Sequence, residues 1–156
     1  MRRDEGFTLI EILVVVLIIG ILAAIAIPSF LGQSAKARAA DAKSGAEVAL
    51  RAVESYGIDN DGNGYTGATT ASLVAQEASL KEAQNESRLL VSGTASTNPD
   101  KTSFVVGVRA RRNGAWFAYY RDTTGVRRLC SPGGSAGCSR AIPGVTFPGY
   151  SSVGSW

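Results

Sequence analysis

The sequence GFTLIEILVVVLIIG, residues 6–20, opens a long apolar stretch of this 156-residue chain and contains one carboxylate, Glu11. Every residue from 12 to 27 is apolar or glycine. About 20 such residues span a bilayer as a helix, and the run extended over residues 7–31 is long enough. A carboxylate inside a membrane segment costs a few kcal/mol, so it normally has a partner or a function. The stretch therefore predicts a membrane anchor whose charge is neutralised by a group from elsewhere.

The residues MRRDEG followed by FTLIE resemble the prepilin signature of type IV pilins and type II secretion pseudopilins. That signature is a short basic leader ending in glycine, then Phe-Thr-Leu-Ile-Glu and an apolar helix. The resemblance implies that a prepilin peptidase cleaves between Gly6 and Phe7 and methylates the new amine of Phe7. It also implies that Glu11 pairs with the Phe7 amine of an adjacent subunit in a helical homo-oligomer.

The same resemblance implies a three-part organisation. We expect a leader peptide over residues 1–6, a transmembrane and assembly helix over 7–31, and an extracytoplasmic globular domain over 32–156. Gly20 and Pro28 stand where family members have a glycine and a proline, and in assembled pili the helix unwinds around that pair. A mild kink is the alternative for the free subunit. Further implied partners are membrane lipid before assembly, an assembly platform and an assembly ATPase.

The residues after Pro28 predict an α+β, pilin-like fold. Small and apolar residues recur at spacings of three and four, which forms one stripe of a helix. The stripe is Ala35, Ala39, Ala42, Ala46, Ala49, Val53 and Tyr56. One long helix over residues 7–56 would pack this stripe on the chain's own sheet, and small residues would also permit close approach between subunits.

The second half of the chain predicts a small antiparallel sheet. Short helices are expected over residues 69–86, capped at Thr69 or Thr70. Strands are predicted over 88–92, 103–111, 115–122 and 126–130, with hairpin turns at Asn113-Gly114 and at residues 122–125. Val106, Val108 and Ala110 alternate with Gly107, Arg109 and Arg111, which predicts one apolar and one basic face.

Two groups of residues bear on cross-links and metals. Cys130 and Cys138 predict one disulfide, since they are the two cysteines of the chain and lie near the C-terminal end of an exported domain. A zinc site is not predicted, because two thiolates without histidine leave a tetrahedral zinc ion under-ligated. Asp59, Asp61 and Asn63 have the spacing that opens a calcium loop, but Thr70 occupies the twelfth position, where such a loop needs a bidentate glutamate. A polar loop that binds no ion is the alternative, and no cofactor is predicted.

Charge is distributed unevenly along the chain. Residues 31–99 carry six basic and eight acidic side chains, whereas residues 100–156 carry eight basic and two acidic ones. Such a basic module could bind DNA or another anion in a salt-sensitive way. The candidate residues are Arg109, Arg111, Arg112, Arg121, Arg127 and Arg128. The alternatives are a solvated basic face or a contact with the acidic region of the next subunit.

The sequence contains no histidine, which is the commonest general base. Its glycine-rich stretches also lack the Gly-Lys-Ser/Thr ending of a phosphate-binding loop. These absences argue against an enzyme. The prediction is a type IV pilus subunit, first in the cytoplasmic membrane and then in an extracellular filament. A type II secretion pseudopilin is the nearest alternative, and a monomeric membrane-anchored binding module is a third.

Overall fold

The computed structural model describes residues 7–93, 102–112, 114–139 and 153–156. It divides into two compact units, the first ending at Ala35 and the second beginning at Lys36. The elements are one long helix, a short helical segment and four consecutive strands. The predicted α+β pilin-like architecture is confirmed.

The long helix α1 spans Leu9–Asp59 and includes Pro28. Its helical hydrogen bonding continues through Gly20 and Pro28, so the single chain is helical where unwinding is predicted for the filament. Residues 60–67 then turn the chain, and Nδ2 of Asn60 closes this turn by donating to the carbonyls of Gly64 and Thr66 at 2.9 Å each.

The alanine stripe of α1 packs on the chain's own sheet, as predicted. Ala42, Ala46 and Ala49 are completely buried. They belong to one apolar cluster with the sheet residues Phe104, Val106, Val108 and Phe117. Small side chains let the helix and the sheet approach closely, and this packing forms the main core of the second unit.

The connection from α1 to the sheet is helical. It contains α2 (Thr70–Gln76), a 3-10 turn (Ala78–Leu80) and α3 (Lys81–Asn85). Thr69 caps α2, since its side-chain oxygen accepts the N–H of Ser72 at 3.1 Å and the Ser72 hydroxyl oxygen accepts the N–H of Thr69. The predicted cap at Thr69 is confirmed.

The sheet has four antiparallel strands in sequence order. They are β1 (Leu89–Gly93), β2 (Phe104–Arg109), β3 (Trp116–Asp122) and β4 (Gly125–Ser131). The β3–β4 hairpin turns at residues 122–125 as predicted, because Asp122 pairs with Gly125.

The β2–β3 hairpin differs from the predicted two-residue turn at Asn113-Gly114. Ala110 donates its N–H to the Ala115 carbonyl at 2.9 Å. These two residues are the last hydrogen-bonded pair before the loop, and four residues connect them. Arg112 takes the left-handed conformation, with φ of 58°. Asn113 itself lies outside the described residues. The loop is longer than predicted because Ala110 pairs with Ala115, which leaves four residues between these two positions.

The second face of the sheet is not basic along its length, contrary to the predicted alternation. Val105, Ala118, Leu129 and Val153 form a small buried cluster there. Gly107 lies on the same face and is buried as well. The prediction was wrong because segments distant in sequence supply apolar side chains to this face.

The predicted disulfide joins Cys130 to Cys138. Beside it, Cys130 forms a two-way backbone bridge with Gly154. The indole N–H of Trp156 donates to the Leu129 carbonyl at 2.9 Å. Nζ of Lys43 on α1 lies 5.3 Å from the Trp156 ring centroid. Residues 153–156 are therefore attached both to β4 and to α1.

Candidate assembly site and basic surface

The N-terminal part of α1 exposes nearly all of its apolar side chains. Phe7 is 79% exposed, Leu9 78% and Phe30 72%. The helix is long and apolar enough to cross a membrane. A surface of this kind is stable only in lipid or against other apolar surfaces.

Glu11 lies in the first turn of α1. Its backbone N–H donates to Oγ1 of Thr8 at 3.3 Å and approaches the Thr8 carbonyl at 3.2 Å. Thr8 therefore caps α1, a role that the sequence analysis missed although the Thr-x-x-Glu spacing is a capping signal.

The helix terminus compensates only part of the cost of the Glu11 charge. A carboxylate in the first turn gains about 0.3–1 kcal/mol from the helix dipole. This is less than the few kcal/mol that a charge costs within a membrane segment. Within residues 7–93, 102–112, 114–139 and 153–156, no basic side chain forms an ion pair with Glu11. A cationic partner for this carboxylate stays a prediction.

The predicted cleavage point is only partly visible. Phe7 is described and exposed. The leader over residues 1–6, including Gly6, lies outside the described residues. Cleavage, methylation of Phe7 and its pairing with Glu11 stay predictions.

The six arginines predicted to form one basic surface divide between two places on the sheet. Arg109 pairs with Trp116 at one end of β2, whereas Arg121 pairs with Phe104 at the other end. Five residue steps along a strand separate these ends by roughly 17 Å. Arg111 and Arg112 belong to the first end, and Arg127 and Arg128 lie on β4 nearer the second.

The arginines near the β3–β4 turn are engaged within the domain. Arg121 lies 3.7 Å from a carboxylate oxygen of Glu54 and donates to the Tyr65 hydroxyl at 3.0 Å. Arg127 lies 2.8 Å from a carboxylate oxygen of Asp122. The hydroxyl and the backbone N–H of Thr124 hold the pKa of Asp122 below its ordinary value.

Arg128 takes part in the packing of the tail. Its guanidinium lies 5.7 Å from the Trp156 ring centroid. Burial raises the pKa of the neighbouring Tyr119 hydroxyl, and the Tyr119 ring lies 5.3 Å from that of Trp156. Contacts within the domain therefore explain the basic residues at this end of the sheet.

The arginines at the β2–β3 hairpin are joined by a residue that the sequence analysis missed. Arg88, just before β1, pairs with Glu86. Arg111 pairs with Glu82 and Glu86, and these carboxylates raise the Arg111 pKa. Arg88 was missed because the net charge of residues 31–99 is acidic and no local pattern shows that β1 pairs with β2.

Two of the calcium candidates, Asp59 and Asp61, lie at the end of α1 and in the turn that follows it. Oδ2 of Asp59 accepts a hydrogen bond from Gln76 at 3.2 Å. Asp61 is exposed in the left-handed conformation, with φ of 45°. Among the described residues, no group of three or more acidic or cysteine side chains could hold a metal ion. Calcium binding by Asp59, Asp61 and Asn63 stays a prediction.

Comparison with known proteins identifies the N-terminal region. Residues 1–27 match the family model described as the prokaryotic N-terminal methylation motif. The resemblance to the pilin and pseudopilin family is confirmed. Together with the apolar helix, this motif indicates a membrane-anchored precursor.

The relatives of this pilin-like chain belong to two kinds of assembly. The type IV major pilin protein PilA of Myxococcus xanthus is 46% identical over 59 residues, which are 38% of this chain and 27% of that protein. The type II secretion system core protein G of Pseudomonas aeruginosa is 42% identical over 59 residues, 38% of this chain and 42% of that protein.

A third relative aligns over a longer region. The core protein G of Klebsiella pneumoniae is 33% identical over 85 residues, 54% of this chain and 61% of that protein. In each case the chain spans less than two thirds of its relative. No solved structure matches the chain. The similarity to these three relatives covers 38–54% of this chain.

Proposed function

We propose that this chain is a structural subunit of a type IV pilus. It is inserted as a single-pass precursor, cleaved after Gly6, methylated on Phe7 and then polymerised through its apolar helix. The observation that carries the proposal is the exposed apolar segment of α1 with the unpaired Glu11 at its start. In a filament this surface is covered by the same segment of other subunits.

The Phe7 amine of a neighbouring subunit supplies the missing cation. A paired buried charge is tolerated, whereas an unpaired one is strongly disfavoured. Pairing of Glu11 with Phe7 would therefore favour one axial register between docking subunits. Gly20 and Pro28 are the positions where α1 would unwind during this step, because glycine and proline are the weakest helix formers.

The role is structural and not catalytic. The energy for extension would come from a separate assembly ATPase acting through an assembly platform, and lipid would cover the helix before assembly. A pseudopilus of a type II secretion system is the second candidate, because several relatives are core protein G. It would use the same N-terminal residues.

The proposal is tested by mass spectrometry of sheared filaments and by deletion of the gene. An N-methylated Phe7 in filaments that disappear on deletion is the expected result. Loss of protein secretion with surface filaments retained would favour the pseudopilus. A mature protein that keeps Met1 and stays monomeric in the membrane would contradict both and favour an anchored binding module.

A further inference from the structure

A basic cavity of about 340 Å³ lies at the β2–β3 hairpin. Its lining includes four arginines, which are Arg88, Arg109, Arg111 and Arg112. The only carboxylate among the described residues of the lining is that of Glu86. Three segments build it: the end of α3 with the approach to β1, the end of β2, and the hairpin loop. The size is at the lower end of the range for small-ligand sites.

Two of the guanidinium groups are held in place before any ligand arrives. The Arg88 side chain is only 11% exposed. It pairs with Glu86, and its Nη1 donates to the Arg109 carbonyl at 3.0 Å. Nε of Arg109 donates to the Gly114 carbonyl at 3.2 Å, and its guanidinium lies 5.8 Å from the Trp116 ring centroid. Such fixed groups lose little conformational entropy when they bind a ligand.

The charges around the cavity do not balance. Glu86 and the nearby Glu82 offset Arg88 and Arg111. In the part of the chain that the structure describes, neither Arg109 nor Arg112 forms an ion pair. Asp41 also acts electrostatically on Arg111, so four arginines and three carboxylates leave a local charge of +1.

We propose that this cavity binds a small dianionic oxyanion of the phosphate class. Guanidinium groups present paired N–H donors whose spacing matches two oxygens of a phosphate. A dianion could pair with the guanidinium groups of both Arg109 and Arg112, which line the cavity. This inference does not depend on filament formation.

A long polyanion fits the structure less well. Binding of DNA along a surface requires a basic track that follows several phosphates. Here the second group of arginines lies at the other end of β2, and Glu54 and Asp122 pair with two of its members. Arg109 and Arg112 lie together at one hairpin, whereas Arg128 on β4 packs against the Trp156 ring.

The test is calorimetric titration of inorganic phosphate into the full chain in a non-ionic detergent at fixed ionic strength. Saturable one-to-one binding is expected. Arg109→Gln or Arg112→Gln should each weaken it at least about tenfold, as expected for loss of a charged hydrogen-bond donor. Arg127→Gln removes the same charge at the other hairpin and serves as the matched control, with less than about a twofold change.

A gain-of-binding variant separates recognition from folding defects. Glu82→Gln releases Arg111 from one carboxylate and should tighten phosphate binding, which a misfolded protein cannot do. Titration with methyl phosphate distinguishes a phosphate monoester from free phosphate as the ligand. If methyl phosphate binds as tightly as inorganic phosphate, the ligand class is a phosphate monoester. If only inorganic phosphate binds, the ligand is the free ion. Absence of saturable binding, an equal loss in Arg127→Gln, or binding of DNA without phosphate would each overturn the proposal.

Discussion

Replacement of Glu11 by glutamine removes one negative charge from the start of α1 while preserving the size of the side chain. We expect filaments to decrease and the membrane pool of the protein to stay equal or increase. Removal of a charge lowers the cost of placing the helix in lipid, so failed insertion cannot explain a loss of filaments. The variant therefore isolates the contribution of the carboxylate to assembly.

The size of the effect follows from the position of Glu11. Two unit charges 4 Å apart attract by about 4 kcal/mol at an effective dielectric constant of about 20. Loss of one partner of a buried pair typically costs about 3–5 kcal/mol. The helix terminus already supplies about 0.3–1 kcal/mol to the carboxylate alone. Because that contribution is the same in the free and the assembled subunit, it does not change the association, and the loss of about 3–5 kcal/mol corresponds to a roughly 150- to 5000-fold weaker association of each subunit.

The assay is the ratio of sheared filaments to membrane-bound subunit, measured by immunoblot on whole cells. Glu47→Gln is the matched control, since Glu47 is an exposed carboxylate on the same helix within the second unit. Its ratio should not change. Normal filament yield and order in the Glu11→Gln strain would show that the carboxylate does not direct assembly, and the pairing with Phe7 would have to be abandoned.

Three further predictions concern the second unit. Replacement of Cys130 and Cys138 by serine should lower the free energy of unfolding by about 2–3 kcal/mol in denaturant titration, the entropy of closing so short a loop. Gly107→Ala should cost about 1–3 kcal/mol in the same assay, because its Cβ would lie 2.5 Å from the Phe117 carbonyl oxygen. The lowered pKa of Asp122 stabilises the fold above the unfolded-state pKa, and this contribution disappears as pH falls through the folded-state value. In Asp122→Asn, the free energy of unfolding should therefore fall less steeply as the pH is lowered.

Features with local signals could be predicted from the sequence. The alanine stripe of α1, the Thr69 cap and the Asp122–Gly125 turn each depend on residues within a few positions of one another. The disulfide between Cys130 and Cys138 was also predictable, since the chain has only two cysteines. In each case the sequence pattern lies in the same segment of the chain as the structural feature that it predicts.

Features that depend on register could not be predicted. The β2–β3 turn is set by pairing of Ala110 with Ala115, which overrides the local Asn-Gly preference. The apolar cluster on the second face brings Val153 to Val105, 48 positions away in the chain. Likewise, only the pairing of β1 with β2 places Arg88 beside the hairpin arginines.

The packing of α1 indicates which surface is available for assembly. In the second unit, small residues of α1 face other parts of the domain: a Cβ on Gly45 would lie 3.3 Å from Val108 of the sheet, and a Cβ on Gly137 in the loop after β4 would lie 3.0 Å from Ala39. In the first unit, Gly20 and Gly32 have no neighbouring side chain within 4 Å of an added Cβ. The buried alanine stripe therefore contributes to folding of the subunit, and we predict that close approach between subunits uses the exposed apolar residues of the first unit. A bulky residue at Gly20 should then hinder assembly and leave the free energy of unfolding of the second unit unchanged.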